Sequence, residues 1–401
     1  MFATHGHSIT GVDVKQEVVD SLNKGKIMIE EPYLDIMVQA AVTSGNLRAQ
    51  TVPEEADVFI IAVPTPINKD KTADMTFVEA AAKSIVPYLC EGNIVVLEST
   101  SPPRTVEDLL LPILKESGLE MGTQLLVVYS PERVLPGKVL IELVQNNRII
   151  GGINKASCEA VRDLYRTFVK GEIYLTDATT AEMCKLMENT FRDVNIALAN
   201  ELAKLCEKMG INVWDVIKYA NKHPRVNIHQ PGPGVGGHCL AVDPWFVVEK
   251  QPQLANIIRL SRITNDGMPH HVFERSEEIL SGISGIKKVI ILGASYKPNI
   301  DDIRESPIMD LVELFNRAPD YEVCIHDPHL HGHPLLCNDL EASVSGAHLL
   351  ILGVNHDIFA KIDFSTIKPL MAEANVLDTR NSFDRTALKE AGFNTYLLGA
   401  H

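Results

Sequence analysis

The sequence predicts an α/β protein: two doubly wound, Rossmann-like domains joined by a long central helix. Three observations carry this. Short apolar, β-branched runs recur in both halves of the chain, each bounded by turn residues; such runs are strands buried on both faces of a parallel sheet. Helical patterns alternate with them, and repeated strand–helix–strand units give doubly wound sheets. Between the halves one helical pattern continues unbroken for about 30 residues, roughly 45 Å of helix.

In the first half the strands are Ser8–Val14, Val58–Val63, Asn93–Leu97, Leu125–Tyr129, Arg148–Gly151 and Ile173–Leu175, with helices such as Thr76–Leu89 and Ser157–Phe168 between them. The long helix covers Thr179–Met209. Met183, Leu186, Met187, Phe191, Val194, Leu198, Leu202 and Leu205 recur there at spacings of three and four. Asp177 fits its N-cap and Gly210 its stop. A helix of that length bridges domains or subunits, so it reads as a linker and a dimer element. A second doubly wound domain follows, with strands at Lys288–Gly293, Tyr321–His326, Ala347–Gly353, Asn375–Asp378 and Thr395–Leu398. The expected division is 1–176, 177–284 and 285–401.

Composition narrows the function. The 401 residues carry 37 Lys and Arg against 52 Asp and Glu, a net charge of −15. Binding a nucleic-acid backbone needs clustered cations, so no nucleic-acid partner is expected. Local anion binding at helix N-termini stays open. No apolar run reaches the ~18 residues of a membrane span, and Met1–His7 lacks the charged and apolar regions of a leader. Seven cysteines, at 90, 158, 184, 206, 239, 324 and 337, form no C-x-x-C. They read as reduced thiols of a cytoplasmic protein without a membrane association.

The front of the chain is unusual. Ser8–Asp13 reads as a strand ending in an acidic residue. In a dinucleotide-binding unit such an Asp grips the adenine ribose, about 20 residues after a G-x-G-x-x-G loop. Only 12 residues precede Asp13, and that loop is absent. The expectation is that roughly 20 residues, the first strand and its phosphate loop, are missing, with Met1–His5 as the tail of the next helix. Weak cofactor binding and low stability would follow.

The most informative stretch is Pro231-Gly-Pro-Gly-Val-Gly-Gly-His-Cys239-Leu-Ala-Val-Asp243-Pro-Trp245. Its glycines let backbone approach a ligand closely. A Cys just after them, with an Asp four residues on, suggests an activated thiol; the competing reading is an inert buried Cys. Lys185 and Asn189 share one helix face. An ammonium beside an amide can hold an oxyanion or move a proton; Arg192 extends that stripe, which on its own reads more readily as a solvated face. Val63-Pro-Thr-Pro66, Glu98-Ser-Thr-Ser-Pro-Pro-Arg104 and Ser130-Pro-Glu-Arg133 follow strands, where a cofactor would sit, or are proline-stabilised turns. His326-Asp-Pro-His-Leu-His-Gly-His333 lacks paired Cys or an acidic cluster and reads as a solvated loop rather than a zinc site.

Together these segments resemble the UDP-glucose/GDP-mannose dehydrogenase family over essentially the whole chain. The motifs carrying the resemblance are Ser130-Pro-Glu-Arg-Val-Leu-Pro-Gly-Lys138, Glu182-Met-Cys-Lys-Leu-Met-Glu-Asn189, Phe191-Arg-Asp-Val-Asn195, His223-Pro-Arg-Val-Asn227, the Cys239 loop through Trp245, and Tyr296-Lys-Pro-Asn-Ile-Asp-Asp-Ile-Arg-Glu-Ser306. The resemblance implies NAD-dependent, four-electron oxidation of a UDP-sugar at C6. UDP-N-acetyl-D-mannosamine is the first expectation; UDP-N-acetylglucosamine, UDP-N-acetylgalactosamine and UDP-glucose are the alternatives.

It also implies roles. Cys239 matches the nucleophile, Lys185 and Asn189 the proton-transfer and oxyanion pair, and Asp243 the acid that orders water. Glu132 and Thr100 match the hydrolysis and hydride-transfer site. Asp13, Thr65, Thr100 and Arg304 match cofactor contacts. Arg133, Val134, Lys185, Asn189, Arg192, His223, Arg225, Gly236, Tyr296 and Lys297 match substrate contacts. The residue matching Arg225 reaches the neighbouring subunit's site in this family, which implies a homodimer. Two other readings remain: a 6-phosphogluconate-type dehydrogenase, which needs no thiol, and a nucleotide-sugar-binding protein impaired by the missing loop.

Overall fold

Strand-forming runs pair where their side chains can be covered on both faces. The computed structural model describes residues 1–27, 31–135 and 137–400. The chain divides into two units, Met1–Met187 and Glu188–His401.

In the first unit, β1 (Ile9–Val12) and β2 (Leu47–Gln50) form a two-stranded parallel sheet. A second sheet holds β3 (Val58–Ile61), β4 (Ile94–Leu97), β5 (Leu126–Tyr129), β6 (Arg148–Gly152) and β7 (Ile173–Asp177), in that order. Val95, Val96, Val127, Val128, Tyr129 and Ile150 are wholly buried, which explains why these runs are continuously apolar. The sheet is not all parallel, as the sequence reading had it: β6 runs antiparallel to β5, and β7 is parallel to β6. Residues Phe2–His5 form a 3-10 turn closed by Gly6 at φ 88°. Phe2 stacks edge-on against Phe168 with ring centroids 4.9 Å apart.

The helix expected over Thr76–Leu89 is α-helical for Thr76–Ile85 and tightens to 3-10 over Val86–Tyr88. Pro87 there cannot supply the N–H that an α-turn needs. The next expected helix spans Lys155–Tyr165, and the Asn154 side chain caps it by accepting the Ser157 N–H at 2.9 Å.

The long helix is Ala178–Met209, 32 residues, and the boundary between the units falls inside it. Asp177 Oδ1 accepts the Thr180 N–H at 2.8 Å and Oδ2 the Thr180 hydroxyl at 2.6 Å. Gly210, at φ 71°, ends the helix.

The second unit carries β8 (Lys287–Leu292), β9 (Tyr321–His326), β10 (Leu349–Leu352), β11 (Asn375–Asp378) and β12 (Asn394–Leu397). Their order is β12-β11-β10-β8-β9, all parallel. This is a doubly wound order that reverses direction between β8 and β10. Side chains alternate between two cores: Val289 and Ile291 enter one, Ile290 and Leu292 the other. One expectation is corrected here. Cys324 on β9 and Cys337 form a disulfide, so the cysteines are not all free thiols; Cys90, Cys158, Cys184, Cys206 and Cys239 are. The loop after β9 turns back to the strand, with Ile325 bridging Leu336, and this brings the two sulfurs together. Among the described residues no helix is long and apolar enough to cross a membrane.

The Thr180 hydroxyl and amide hold the Asp177 carboxyl below its ordinary range. A depressed carboxylate stabilises the fold above its unfolded pKa, and that contribution fades as pH falls through the folded value. Asp177→Ala should therefore lower stability by about 1 kcal/mol at pH 7, with the difference shrinking in acid; denaturant melts at both pH values check this.

Candidate active site

The Cys239 loop is held from below by a buried polar chain. Arg262 and Asp193 pair at 2.5 Å, both essentially inaccessible. Asn265 donates to Asp193 Oδ1 at 2.8 Å, and Asn200 donates to Asn265 Oδ1 at 2.8 Å. Asn200 Oδ1 then accepts the Gly232 N–H at 2.9 Å. Burial pushes the Asp193 carboxyl up, and Arg262 pulls it back.

From above, the loop packs on the segment 294–307. A Cβ on Gly236 would collide with the Glu305 carbonyl and lie 2.8 Å from Pro307, and one on Gly237 would lie 3.1 Å from the Tyr296 ring. Gly237 also has φ 89°, a region L side chains rarely adopt. The sequence reading had the glycines letting the backbone approach a ligand closely; in the structure these two also let the loop close on its own unit.

Cys239 is half-buried, and its carbonyl accepts the N–H groups of Val242 at 3.0 Å and Asp243 at 2.8 Å. That turn leads into the helix Asp243–Lys250. Asp243 is buried, and Asn189 Nδ2 donates to its Oδ2 at 2.6 Å. Two residues picked out separately in the sequence thus form one unit: the amide fixes the carboxylate that follows the thiol. Tyr296 and Arg304 sit close enough to Cys239 to feel its charge. Burial first, then Asp302 and the Cys239 charge, push the Tyr296 hydroxyl up. Arg304 forms a fork with Asp302, at 2.9 Å through Nε and 2.7 Å through Nη2, and this holds the Asp302 carboxyl down. Lys297, Arg192, His223 and Arg225 are exposed, and Lys185 is half-buried on the long helix four residues before Asn189.

In the first unit, Thr65 follows β3 and Thr100 follows β4, both half-exposed. Ser99 ties the two segments by donating to the Val63 carbonyl at 2.8 Å. Asp13, after β1, accepts the Lys15 N–H at 2.8 Å through Oδ1. Glu132, Arg133 and Val134 are half-buried after β5, and Pro136 of the same motif lies outside the described residues. Glu132 Oε1 accepts the Arg133 N–H at 2.6 Å, while Oε2 pairs with Arg148.

Several residues here escaped the sequence reading. Arg148 is buried and also reaches Glu98 at 3.2 Å and Ser130 at 3.1 Å, with its guanidinium 4.0 Å from the Tyr165 ring centroid. Tyr165 donates to Glu98. Burial raises the Glu98 carboxyl, opposed by Arg148. Glu98 lies in a segment that was singled out, but nothing local marked Arg148 or Tyr165. The histidine-rich loop is built around backbone contacts such as His326 Nδ1 to the Cys337 carbonyl at 2.9 Å. Among the described residues no group of three or more His, Cys, Asp or Glu could hold a metal ion.

Comparison with known proteins places this geometry. The chain matches the UDP-glucose/GDP-mannose dehydrogenase family in three parts: its NAD binding domain over residues 1–169, its central domain over 179–266 and its UDP binding domain over 290–385. The chain belongs to that family. It is 47% identical to a UDP-N-acetyl-D-mannosamine dehydrogenase of Methanococcus maripaludis, over 100% of this chain and 93% of the relative. It is 46% identical to an NDP-N-acetyl-D-galactosaminuronic acid dehydrogenase of Ralstonia solanacearum, over 97% and 93%. Among solved structures it is similar to the UDP-N-acetyl-mannosamine dehydrogenase of S. aureus, with a TM-score of 0.90 and 48% identity over 100% and 94% of the two chains. This chain is therefore an NAD-dependent oxidoreductase of the nucleotide-sugar dehydrogenase class.

Because Gly236 has no room for a side chain, Gly236→Ala should cost about 1–3 kcal/mol. Thermal melts, read together with the rate of NADH production, check it.

Proposed function

We propose that this chain oxidises UDP-N-acetyl-D-mannosamine at C6 to the uronate, removing four electrons through a thioester on Cys239. The observation that carries the reading is the fixed carboxylate, Asp243 on Asn189, four residues after a half-buried thiol at the end of a tightly packed loop. A one-step hydroxyacid dehydrogenase has no use for such a thiol.

The first unit has groups suited to NAD. Asp13 uses Oδ1 for the Lys15 amide, and its second oxygen can accept from a ribose hydroxyl. Thr65 and Thr100 offer half-exposed hydroxyls after parallel strands, the usual place for a dinucleotide. Arg304 is assigned to the cofactor as well. When bound, NAD supplies the acceptor for two electrons and a proton as hydride, so one sugar consumes two.

The remaining chemistry belongs to the chain. After the alcohol has become an aldehyde, the Cys239 thiolate adds to its carbon. The C–S bond forms and the carbonyl electron pair moves to oxygen, where the Lys185 ammonium and Asn189 amide stabilise it. Loss of the second hydride restores the carbonyl as a thioester. Asp243 and Glu132 take a proton from water as it adds, the C–S bond breaks, and the acid leaves with the thiolate restored. Arg133, Val134, Arg192, His223, Gly236, Tyr296 and Lys297 hold the substrate, and Arg225 reaches the site of a second copy. These roles accompany the three-part division 1–176, 177–284 and 285–401, which the three matched domains support.

The second copy has a face to use. Phe191, Leu198 and Leu205 on the long helix are exposed at intervals of seven, with Ile257 and Leu260 exposed on the helix Asn256–Asp266. Seven residues is about two turns, so the three form one stripe. We assign this face to a homodimer in the cytoplasm.

Two NADH per UDP-N-acetyl-D-mannosamine is the expected yield, and Cys239→Ser should make no acid. Acid formation by that variant, or one NADH per sugar, overturns the covalent route. Turnover of UDP-N-acetylgalactosamine in its place would favour the sugar suggested by the name of the Ralstonia relative. UDP-sugar binding without turnover of any sugar would favour an impaired binding protein. In cytosolic lysate fractions light scattering should give the mass of two chains, and Leu198→Glu should give one.

A further inference from the structure

The loop 294–306 carries Tyr296 and Lys297, and it is held by a pair of side chains that the mechanism does not use. Asp327, just past β9, and His356, in the turn after β10, have no exposed side-chain surface. Asp327 Oδ2 accepts the Ala294 N–H at 2.8 Å, and Oδ1 accepts the His329 N–H at 2.9 Å. His356 Nδ1 lies 2.8 Å from the Asn299 N–H, which donates to it. A ring nitrogen that accepts carries no proton, so Nε2 bears the hydrogen and donates to Asp327 Oδ2 at 3.1 Å. Asn299 also takes the Asp357 N–H at 3.0 Å through its side chain. Its backbone lies at φ 61°, a conformation that Asn tolerates better than most residues.

Two of the three backbone amides that this pair satisfies, those of Ala294 and Asn299, flank Tyr296-Lys-Pro298. We infer that Asp327 and His356 are positioning residues that clamp Tyr296 and Lys297 in register for the nucleotide end of the substrate. The inference rests on the proposed assignment of Tyr296 and Lys297 to the UDP-sugar. Burying an acid and an imidazole in an apolar core is unfavourable unless each is hydrogen-bonded. Here every bond described leads to the start of this loop, its middle, or the turn after β9. The Lys297 side chain is exposed, and its carbonyl accepts the Ser295 hydroxyl at 2.8 Å, inside the span whose two ends the clamp fixes.

The test uses the full chain with His356→Leu, His356→Asn and His356→Gln, and UDP as the calorimetric probe. Leu removes both bonds. Asn keeps an acceptor where Nδ1 was; Gln keeps a donor near Nε2 but not that acceptor. His356→Leu should weaken UDP binding and raise the sugar KM by about tenfold, the effect of losing one to two buried hydrogen bonds. The NAD KM and kcat at saturating sugar should stay near wild type. His356→Asn should recover most of the affinity, and His356→Gln little of it. Wild-type UDP affinity in His356→Leu, whatever its melting temperature, overturns the inference. If that variant does not fold, equal UDP affinities in the Asn and Gln variants overturn it. Lys297→Met separates the two levels. Unchanged UDP affinity there sinks the substrate assignment itself, whereas weakened affinity there with a normal His356→Leu sinks only the clamp.

Discussion

The position of the thiol depends on a charge pair that lies three hydrogen bonds away from its loop. Arg262 and Asp193 are wholly enclosed, and each would be strongly destabilising alone. Paired, they give Asn265 a fixed acceptor; Asn265 orients Asn200; Asn200 holds Gly232. Asp193 and Asn200 are seven residues apart on the same helix, so one helical face supplies both ends of the chain of bonds. The loop is thus anchored at its first glycine by polar bonds and pressed at Gly236 and Gly237 against Tyr296. Between these two constraints the loop that carries Cys239 has little freedom.

Much of this was legible in the sequence. The strands were, because burial on both faces leaves an unbroken apolar run, as in Val95–Leu97 and Leu349–Leu352. Strand β2 was not: Leu47-Arg-Ala-Gln50 is polar and half-exposed, and carries no such signal. Nor was the direction of β6, since an apolar run reads the same whichever way it pairs. The long helix was legible to within a residue because both its ends carry a local mark, Asp177 and Gly210.

At the site, residue types were legible and contacts were not. Cys239, Asp243 and Asn189 stood out singly, but the bond from Asn189 to Asp243 spans 54 positions. The Cys324–Cys337 pair was invisible for the same reason: a spacing of 13 becomes a bond only because the chain returns to Ile325. Asp327 was noticed only as part of a histidine-rich run. Its role as a hydrogen-bond hub emerges from elements that meet in the fold, with His356 29 residues further on.

The reversal of β6 has a consequence of its own. Val128 faces Gly152 and Tyr129 faces Gly151; continued outward, that antiparallel register sets Arg148 beside Glu132, where the ion pair is found. A parallel strand would have delivered its first residue to the opposite edge of the sheet, far from the ends of β4 and β5. A slip by one residue would turn the guanidinium to the other face and leave Glu98 and Glu132 facing each other without a cation. The sheet therefore checks its own alignment electrostatically: the register it adopts is the one that brings a cation to these carboxylates.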